Sequence, residues 1–268
     1  MIDLHSHILP GIDDGASSIS DSVELVRELA SGGVTEIFAT PHYVDETIWT
    51  STRNNNLKLL GSLQKQLDEE GVDVKIHLGN EIYINREILE LLKSDKISPM
   101  GESRYVLVEL PMSGDFPGYL DIFLELLRAG YKVILAHPER YTNFQDNFEL
   151  LSELYEMGVL LQCNIGSFVD QYGKAARKLA VKLAKEKMIF GVGTDIHHLR
   201  GERFLPEALK KLGKYYSQEE LDVYNNRYGS FKEEMWNLDK KFCMNIFKPI
   251  TGDIDKEKVY SVMKEYKW

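Results

Sequence analysis

The sequence predicts an α/β fold in which seven parallel strands alternate with helices and form a closed or distorted barrel. Short apolar runs alternate with longer amphipathic segments from residue 2 to residue 213. Strand, helix, strand in repetition makes neighbouring strands parallel and places the helices outside. The chain has 268 residues, and one barrel domain takes roughly 250. A doubly wound open sheet is the alternative on the same pattern, and seven units favour closure.

The run IDLH (2–5) reads as the first strand. SDSVELVRELA follows, with Val23, Val26, Leu29 and Ala30 at helical spacing and Glu24, Arg27 and Glu28 on the other face. The helix spans 18–31 and stops at Gly32-Gly33. VTEIFATPH (34–42) is the second strand, and helix 54–70 after it ends at Gly71. VKIHLGNE (74–81), YVLVEL (105–110), KVILAHPE (132–139), VLLQCNI (159–165) and IFGVGTD (189–195) are the other five. Helices are predicted over 85–94, 118–129, 147–157, 173–187 and 205–213. The stretch 214–268 is rich in Tyr, Lys and Glu without a strand pattern. It is expected to be a mostly helical C-terminal extension of a single domain, 1–268, packed on the barrel or on a partner. The tyrosines of 215–228 read as amphipathic packing rather than as sites of modification.

Composition narrows the function. The apolar fraction of 43% supports an ordinary core, and the net charge of −10 argues against nucleic-acid or anionic-membrane partners. A phosphorylated substrate stays compatible, because bound cations can invert the local field. Two cysteines, Cys163 and Cys243, are too few for a disulfide framework and point to a cytoplasmic location. No basic stretch precedes an apolar run at the N-terminus, so no signal peptide is predicted. No apolar segment approaches a membrane span.

The chemistry-bearing residues share one position in successive units. His5 and His7 follow the first strand, His42 the second; Glu81, Glu109 and His137 end the third, fourth and fifth; Asp195 and His197 end the seventh. In a barrel those C-terminal ends converge on the face where active sites are built. An isolated H-x-H is a weak signal, and His5 alone would read as structural. Five of seven histidines with three acids at one strand-end position form a specific pattern. Imidazole and carboxylate without thiolate suit Zn, Mn or Fe. Eight ligands exceed the needs of one tetrahedral ion, so two or three ions sharing carboxylates are expected. Clustered ions suit phosphoester hydrolysis, one activating water and a neighbour holding phosphoryl oxygens. Arg140, three residues after His137, is then an anion clamp, and outside that context a surface ion-pair residue. His77 reads as a packing residue, His198 as solvent-exposed, and Asp13 as a loop or helix-entry carboxylate.

Rival chemistries lack their residues. A cysteine phosphatase needs Arg six positions after Cys, where Val169 and Pro249 stand. GVGTD (191–195) lacks the Lys-Ser or Lys-Thr of a P-loop, and no G-x-S-x-G elbow occurs.

The segments MIDLHSHILPGIDDG, FATPHY, LGNEIYI, SRYVLVELP, VILAHPERY and TDIHHL, in order over residues 1–200, resemble the PHP (polymerase and histidinol phosphatase) superfamily. Within it they are most similar to the bacterial metal-dependent protein-tyrosine phosphatases of capsule and exopolysaccharide operons, the CpsB/YwqE type. The resemblance implies a distorted (β/α)7 TIM-like barrel, the PHP fold, holding three divalent ions, usually Mn2+, with Fe, Zn or Mg as alternatives. By position it implies His5, His7, Glu81 and Asp195 around the first ion; Glu81, Glu109 and His137 around the second; and Asp14, His42 and His197 around the third. It also implies that Arg140 binds phosphate. A second phosphate-binding arginine is expected at Arg203, by a one-residue shift from Glu202, with Arg200 on the other side.

The implied reaction is in-line hydrolysis of phosphotyrosine, with His42 or Asp14 as proton source. The implied partner is the phosphotyrosine-bearing tail of a bacterial tyrosine kinase, with self-association as a further possibility. Two other readings stand beside it: a small-molecule phosphatase of the histidinol-phosphate type, and a catalytically silent protein that docks the kinase tail.

Overall fold

The computed structural model describes residues 1–45, 47–114, 118–201, 203–217 and 219–221. Nine strands occur among them: β1 (Ile2–Ser6), β2 (Glu36–Ala39), β3 (His42–Tyr43), β4 (Lys75–Leu78), β5 (Glu81–Tyr83), β6 (Tyr105–Glu109), β7 (Lys132–Ala136), β8 (Leu160–Asn164) and β9 (Ile189–Gly193). All pairings are parallel. The helices are α1 (Ile19–Ser31), α2 (Arg53–Glu69), α3 (Ile88–Lys93), α4 (Tyr119–Arg128), α5 (Thr142–Asp146), α6 (Phe148–Glu156), α7 (Gly173–Lys185) and α8 (Phe204–Leu212). Each expected helix up to residue 213 is present, and α5 is an addition.

The distortion has a local cause. Two of the expected strands are each broken in two. Thr40-Pro41 separates β2 from β3, and Gly79-Asn80 separates β4 from β5. Proline has no N–H to give a ladder. Asn80 takes over the bonding at the second break, donating to the Pro41 carbonyl (3.0 Å) and accepting from Ser98 N–H (2.8 Å). The barrel wall is therefore two sheets, β1-β2-β4 and β3-β5-β6-β7-β8-β9. They meet again across the first and last strands. Asp195 N–H donates to the His5 carbonyl (2.7 Å) and His7 N–H to the Ile196 carbonyl (3.0 Å). Seven sectors thus close.

Strand alternation divides the apolar residues between two cores. In β6, Val106 and Val108 join the large core between wall and helices, while Tyr105 and Leu107 join a smaller one with Phe38, Ile134 and Ala136. That smaller cluster fills the barrel interior on the same strand face as Glu109. His77 stacks on Phe38 and pairs with Glu36 at 2.7 Å, the packing role expected of it. Outside, α1 buries Val23, Leu25, Val26 and Leu29, and its N-cap Ser18 accepts from Asp21 N–H. The helical extension expected over 214–268 lies outside the described residues except for 214–217 and 219–221. There Tyr216 is buried in the large core. Tyr224, Tyr228 and Cys243 lie outside the described residues.

GVGTD has a structural explanation. A Cβ on Gly193 would stand 2.4 Å from His5 Cβ, 2.8 Å from Gln162 Nε2 and 3.0 Å from His5 N. The glycine lets β9 approach β1 where the barrel closes. Gly193→Ala is expected to destabilise the fold by about 1–3 kcal/mol through overpacking. Urea denaturation of the purified variant measures this, and wild-type stability would contradict the account.

Candidate metal centre

Irregular backbone aims the candidate side chains. His42 and Glu81 are the first residues after the two strand breaks and lie in register with each other. His137 and Asp195 have φ of 33° and 50°, in the left-handed region that non-glycine residues seldom occupy. Such backbone persists only where the surroundings hold it, and it gathers at functional sites.

All nine expected ligands come together. Glu81 Oε2 lies 3.1 Å from His5 Nε2, 3.2 Å from His7 Nε2 and 3.1 Å from His42 Nδ1. Glu81 Oε1 lies 2.8 Å from His137 Nε2, and Glu109 is 3.8 Å from both His42 and His137. Asp195 Oδ1 lies 3.5–3.6 Å from nitrogens of His5, His7 and His197. Asp14 Oδ1 lies 3.3 Å from His197 Nε2 and 3.5 Å from His42 Nε2. Among the described residues, three groups hold donor atoms within 4.8 Å of one another: His5-His7-Glu81, His42-Glu81-Glu109, and His7-Asp14-His42-His197. They overlap at His7, His42 and Glu81.

The family described as capsular polysaccharide synthesis, CpsB/CapC, matches residues 1–225. The chain belongs to the CpsB/CapC family. It is 35% identical over 228 residues to a putative tyrosine-protein phosphatase CapC of Staphylococcus aureus, covering 84% of this chain and 88% of that protein. It is 32% identical over 221 residues to the tyrosine-protein phosphatase YwqE of Bacillus subtilis, covering 82% and 86%. Its fold matches a structure from a study of Bacillus subtilis YwqE and Streptococcus pneumoniae CpsB, described as unique metal-dependent tyrosine phosphatases. That match has a TM-score of 0.75 at 30% identity, covering 85% of this chain and 92% of the other.

Around this CpsB/CapC site two residues need a closer account. Asp13 lies in the loop after β1, as expected, but it is turned into the site. Its side chain is buried, and Oδ2 accepts from His7 Nδ1 (2.8 Å) and His42 N–H (3.0 Å) while Oδ1 accepts from Gly15 N–H (3.0 Å). The pair Asp13-Asp14 splits into an inward residue and an outward one, which adjacency alone does not reveal. Of the two arginines flanking Glu202, Arg200 is the one that contacts residues of the site. Arg200 donates to the Asp195 carbonyl (3.0 Å) and to the Tyr172 hydroxyl (3.4 Å). Arg203 caps α8 with helical backbone and is exposed. Among the described residues it makes no hydrogen bond or ion pair with a site residue.

Arg140 stands where expected, its guanidinium 2.6 Å from Asp195 Oδ2 and 4.6 Å over the Tyr172 ring. Trp49 stacks on His42 at 5.2 Å. Gln162 and Asn164, both buried, fill the sector ending in β8 that had no assigned residue. Their signal was two amides inside an apolar run, VLLQCNI.

The electrostatics are those of a site short of positive charge. Burial pushes the Glu109 carboxyl up to about 9, with Glu81 and Asp195 adding to the rise. Burial opposes charge on His5 and His7 as well. Glu81 and Asp195 outweigh it at His5, and Asp13 does so at His7, so both rings bind protons more tightly than free imidazole. Burial would raise Asp13 too, but His7 holds it down to about 2.

Protons therefore occupy ligand atoms in the free chain, and divalent cations must displace them. Calorimetry at pH 7.5 in buffers of differing ionisation enthalpy is expected to show net proton release on Mn2+ binding. Glu109 binds its proton more tightly folded, at about 9, than at the ordinary 4.5. The folded state thus carries more protons between those values, and stability falls as pH rises through them. His5 and His7, both raised above 6.5, act in the same direction. The melting temperature of the metal-stripped chain should fall from pH 6.5 to pH 9, and a rise would contradict these assignments.

Proposed function

We propose that the chain is a metal-dependent protein-tyrosine phosphatase. Its substrate on this reading is the phosphotyrosine tail of a bacterial tyrosine kinase that controls capsular or exopolysaccharide synthesis, and it acts in the cytoplasm. One observation carries the proposal. Glu81 Oε2 is buried among three imidazole nitrogens at 3.1–3.2 Å, yet it has no hydrogen-bond partner, and His42 Nδ1 and His137 Nδ1 also lack one. Buried polar atoms are ordinarily bonded. A carboxylate so placed fits shared cations.

The donor set suits three divalent ions, Mn2+ foremost, with Fe, Zn or Mg as alternatives. His5, His7, Glu81 and Asp195 would hold the first; Glu81, Glu109 and His137 the second; Asp14, His42 and His197 the third. Bound there, such ions supply Lewis acidity and a nucleophilic water at neutral pH.

The chain's own groups do the rest. Arg140 spends one N–H on Asp195 Oδ2, which leaves further donors of its planar fork for phosphoryl oxygens. Arg200 Nη1 is buried without a partner and is a second candidate for the same anion. His42 is held below the ordinary imidazole range, chiefly by burial, and Asp14 below the carboxylate range, chiefly by its hydrogen bond to His197. Both are therefore deprotonated at neutral pH, which supports a ligand role over proton donation. A tyrosine leaving group, with a pKa near 10, departs without a proton from this pair. The Asp14 side chain is 48% exposed, so the third group opens to solvent. That openness favours a protein-borne phosphate over a small molecule enclosed in a deep site.

Turnover of a phosphotyrosine peptide is expected to exceed that of histidinol phosphate at equal Mn2+, and the reverse result would favour the small-molecule reading. His5→Ala and Asp195→Ala should abolish turnover with the circular-dichroism spectrum intact. Retained turnover in both would remove the metal mechanism. Arg140→Ala should lower kcat/KM by about 10²–10³-fold, the usual loss for one oriented anion donor. Cys163→Ser should leave turnover unchanged. That thiol is buried in the large core, and burial pushes its pKa well up. Loss of turnover there would instead support a cysteinyl intermediate.

A further inference from the structure

The end of β8 carries a directional chain of amides. Gln162 Oε1 accepts from His137 N–H (3.2 Å) and faces His5 Nδ1 at 3.0 Å. Gln162 Nε2 donates to Asn164 Oδ1 (2.9 Å), and Asn164 Nδ2 donates to Asp195 Oδ2 (2.7 Å). The Asn164 N–H donates to Glu139 Oε1 (2.9 Å), which also accepts from Ser167 Oγ (2.7 Å). Gln162, Asn164 and Glu139 are fully buried.

The direction is fixed at both ends. A backbone N–H can only donate, so the atom facing His137 N must be the glutamine oxygen. An ionised carboxylate can only accept, so the atom facing Asp195 must be the asparagine nitrogen. Turning either amide would set donor against donor or acceptor against acceptor. With its oxygen held in place, Gln162 Oε1 accepts a hydrogen bond from His5 Nδ1–H. The neutral His5 ring therefore presents the bare Nε2 to the cluster. Asp13 does the same for His7 from the other side, through His7 Nδ1 at 2.8 Å. The two Nε2 atoms face each other at 3.1 Å, so either a proton or a cation must lie between them, and with both rings neutral the place is open to a cation.

Asn164 acts on Asp195. Its donor and that of Arg140 occupy Oδ2, leaving Oδ1 turned to His5, His7 and His197. We propose that Gln162 and Asn164 are positioning residues, Gln162 locking His5 in its Nδ1–H tautomer and Asn164 holding Asp195 so that one oxygen faces the cluster. The proposal rests on the reading of His5 and Asp195 as ligands. An outer partner of a metal-ligating histidine fixes its tautomer and orientation, and its loss costs about 10- to 100-fold in metal affinity.

The test uses the full chain, and its first measurement needs no variant. Long-range 1H–15N spectra of metal-free wild type, above the titration range of His5, are expected to show His5 as the Nδ1–H tautomer. An Nε2–H tautomer there overturns the proposal. Gln162→Met removes the acceptor and should release the other tautomer. It should also weaken Mn2+ binding about 10- to 100-fold by calorimetry. Gln162→Glu keeps the acceptor for His5 but cannot donate to Asn164, so it should keep the tautomer and still lose affinity. Asn164→Leu should lose affinity with the His5 tautomer unmoved. Variants that bind Mn2+ within twofold of wild type overturn the positioning role. A wild-type chain that takes up no Mn2+ overturns the ligand assignment beneath it, and the tautomer spectrum tells the two failures apart.

Discussion

Everything at the mouth of this barrel is arranged around one buried carboxylate. Glu81 Oε2 stands within 3.2 Å of three imidazole nitrogens, two from the end of β1 and one from the start of β3. Taking that many ionisable groups out of water is costly unless each finds a partner. Protons fill part of the need in the free chain and cations would fill it better. The backbone bends to make the arrangement possible. A regular parallel strand continuing through Thr40-Pro41 or Gly79-Asn80 would carry His42 and Glu81 onward along the wall. The breaks restart each strand, so that the two residues begin β3 and β5 side by side. The left-handed backbone at His137 and Asp195 performs the same service at two other strand ends.

The closure of the barrel and the building of the site are a single event. The hydrogen bonds that join β9 to β1 run through Asp195 N–H and the His5 carbonyl, and through His7 N–H and the Ile196 carbonyl. Two of those residues are candidate ligands of one ion, and His7 is another. Gly193 gives them room to meet. A ligand set that spans the seam should strengthen it, since binding free energy to the folded state adds to stability.

Much of this was legible in the sequence because it follows from period and position. The helices announced themselves by 3.6-residue spacing. Eight candidate ligands fell at strand ends because parallel strands force them there, and Asp14, in the loop after the first strand, came only from the family resemblance. What escaped obeys no such rule. The strand breaks were signalled only by Pro41 and by Gly79-Asn80, which mark interruption without saying how far the chain is deflected. Asp13 and Asp14 are chemically identical neighbours, and only the turn back to His7 decides which points inward. Arg200 and Arg203 differ by where α8 begins, and helix starts are uncertain by a residue or more. Gln162 and Asn164 carry no charge and no metal-ligand spacing. Their meaning lies in which atom donates to which, a property of the assembled network.

The sign of the field at the mouth follows from the same inventory. The chain is acidic overall, with a net charge of −10, and a phosphate dianion approaching it meets repulsion at long range. Arg140 leans on the Asp195 carboxylate, so part of its charge is already neutralised, while Arg200 donates to the Asp195 backbone carbonyl. Asp13, Asp14, Glu81 and Asp195 are ionised in the free chain, while Glu109 keeps its proton. Such a mouth has little affinity for phosphate by itself. Each divalent cation taken up reverses two units of charge and also displaces protons from ligands that had balanced one another. The carboxylates that make the site repel its substrate are thus the groups that, once they hold cations, make it attract one. On the proposed reading phosphate affinity is thereby conditional on metal occupancy, and Arg140 and Arg200 would engage an anion only after that condition is met.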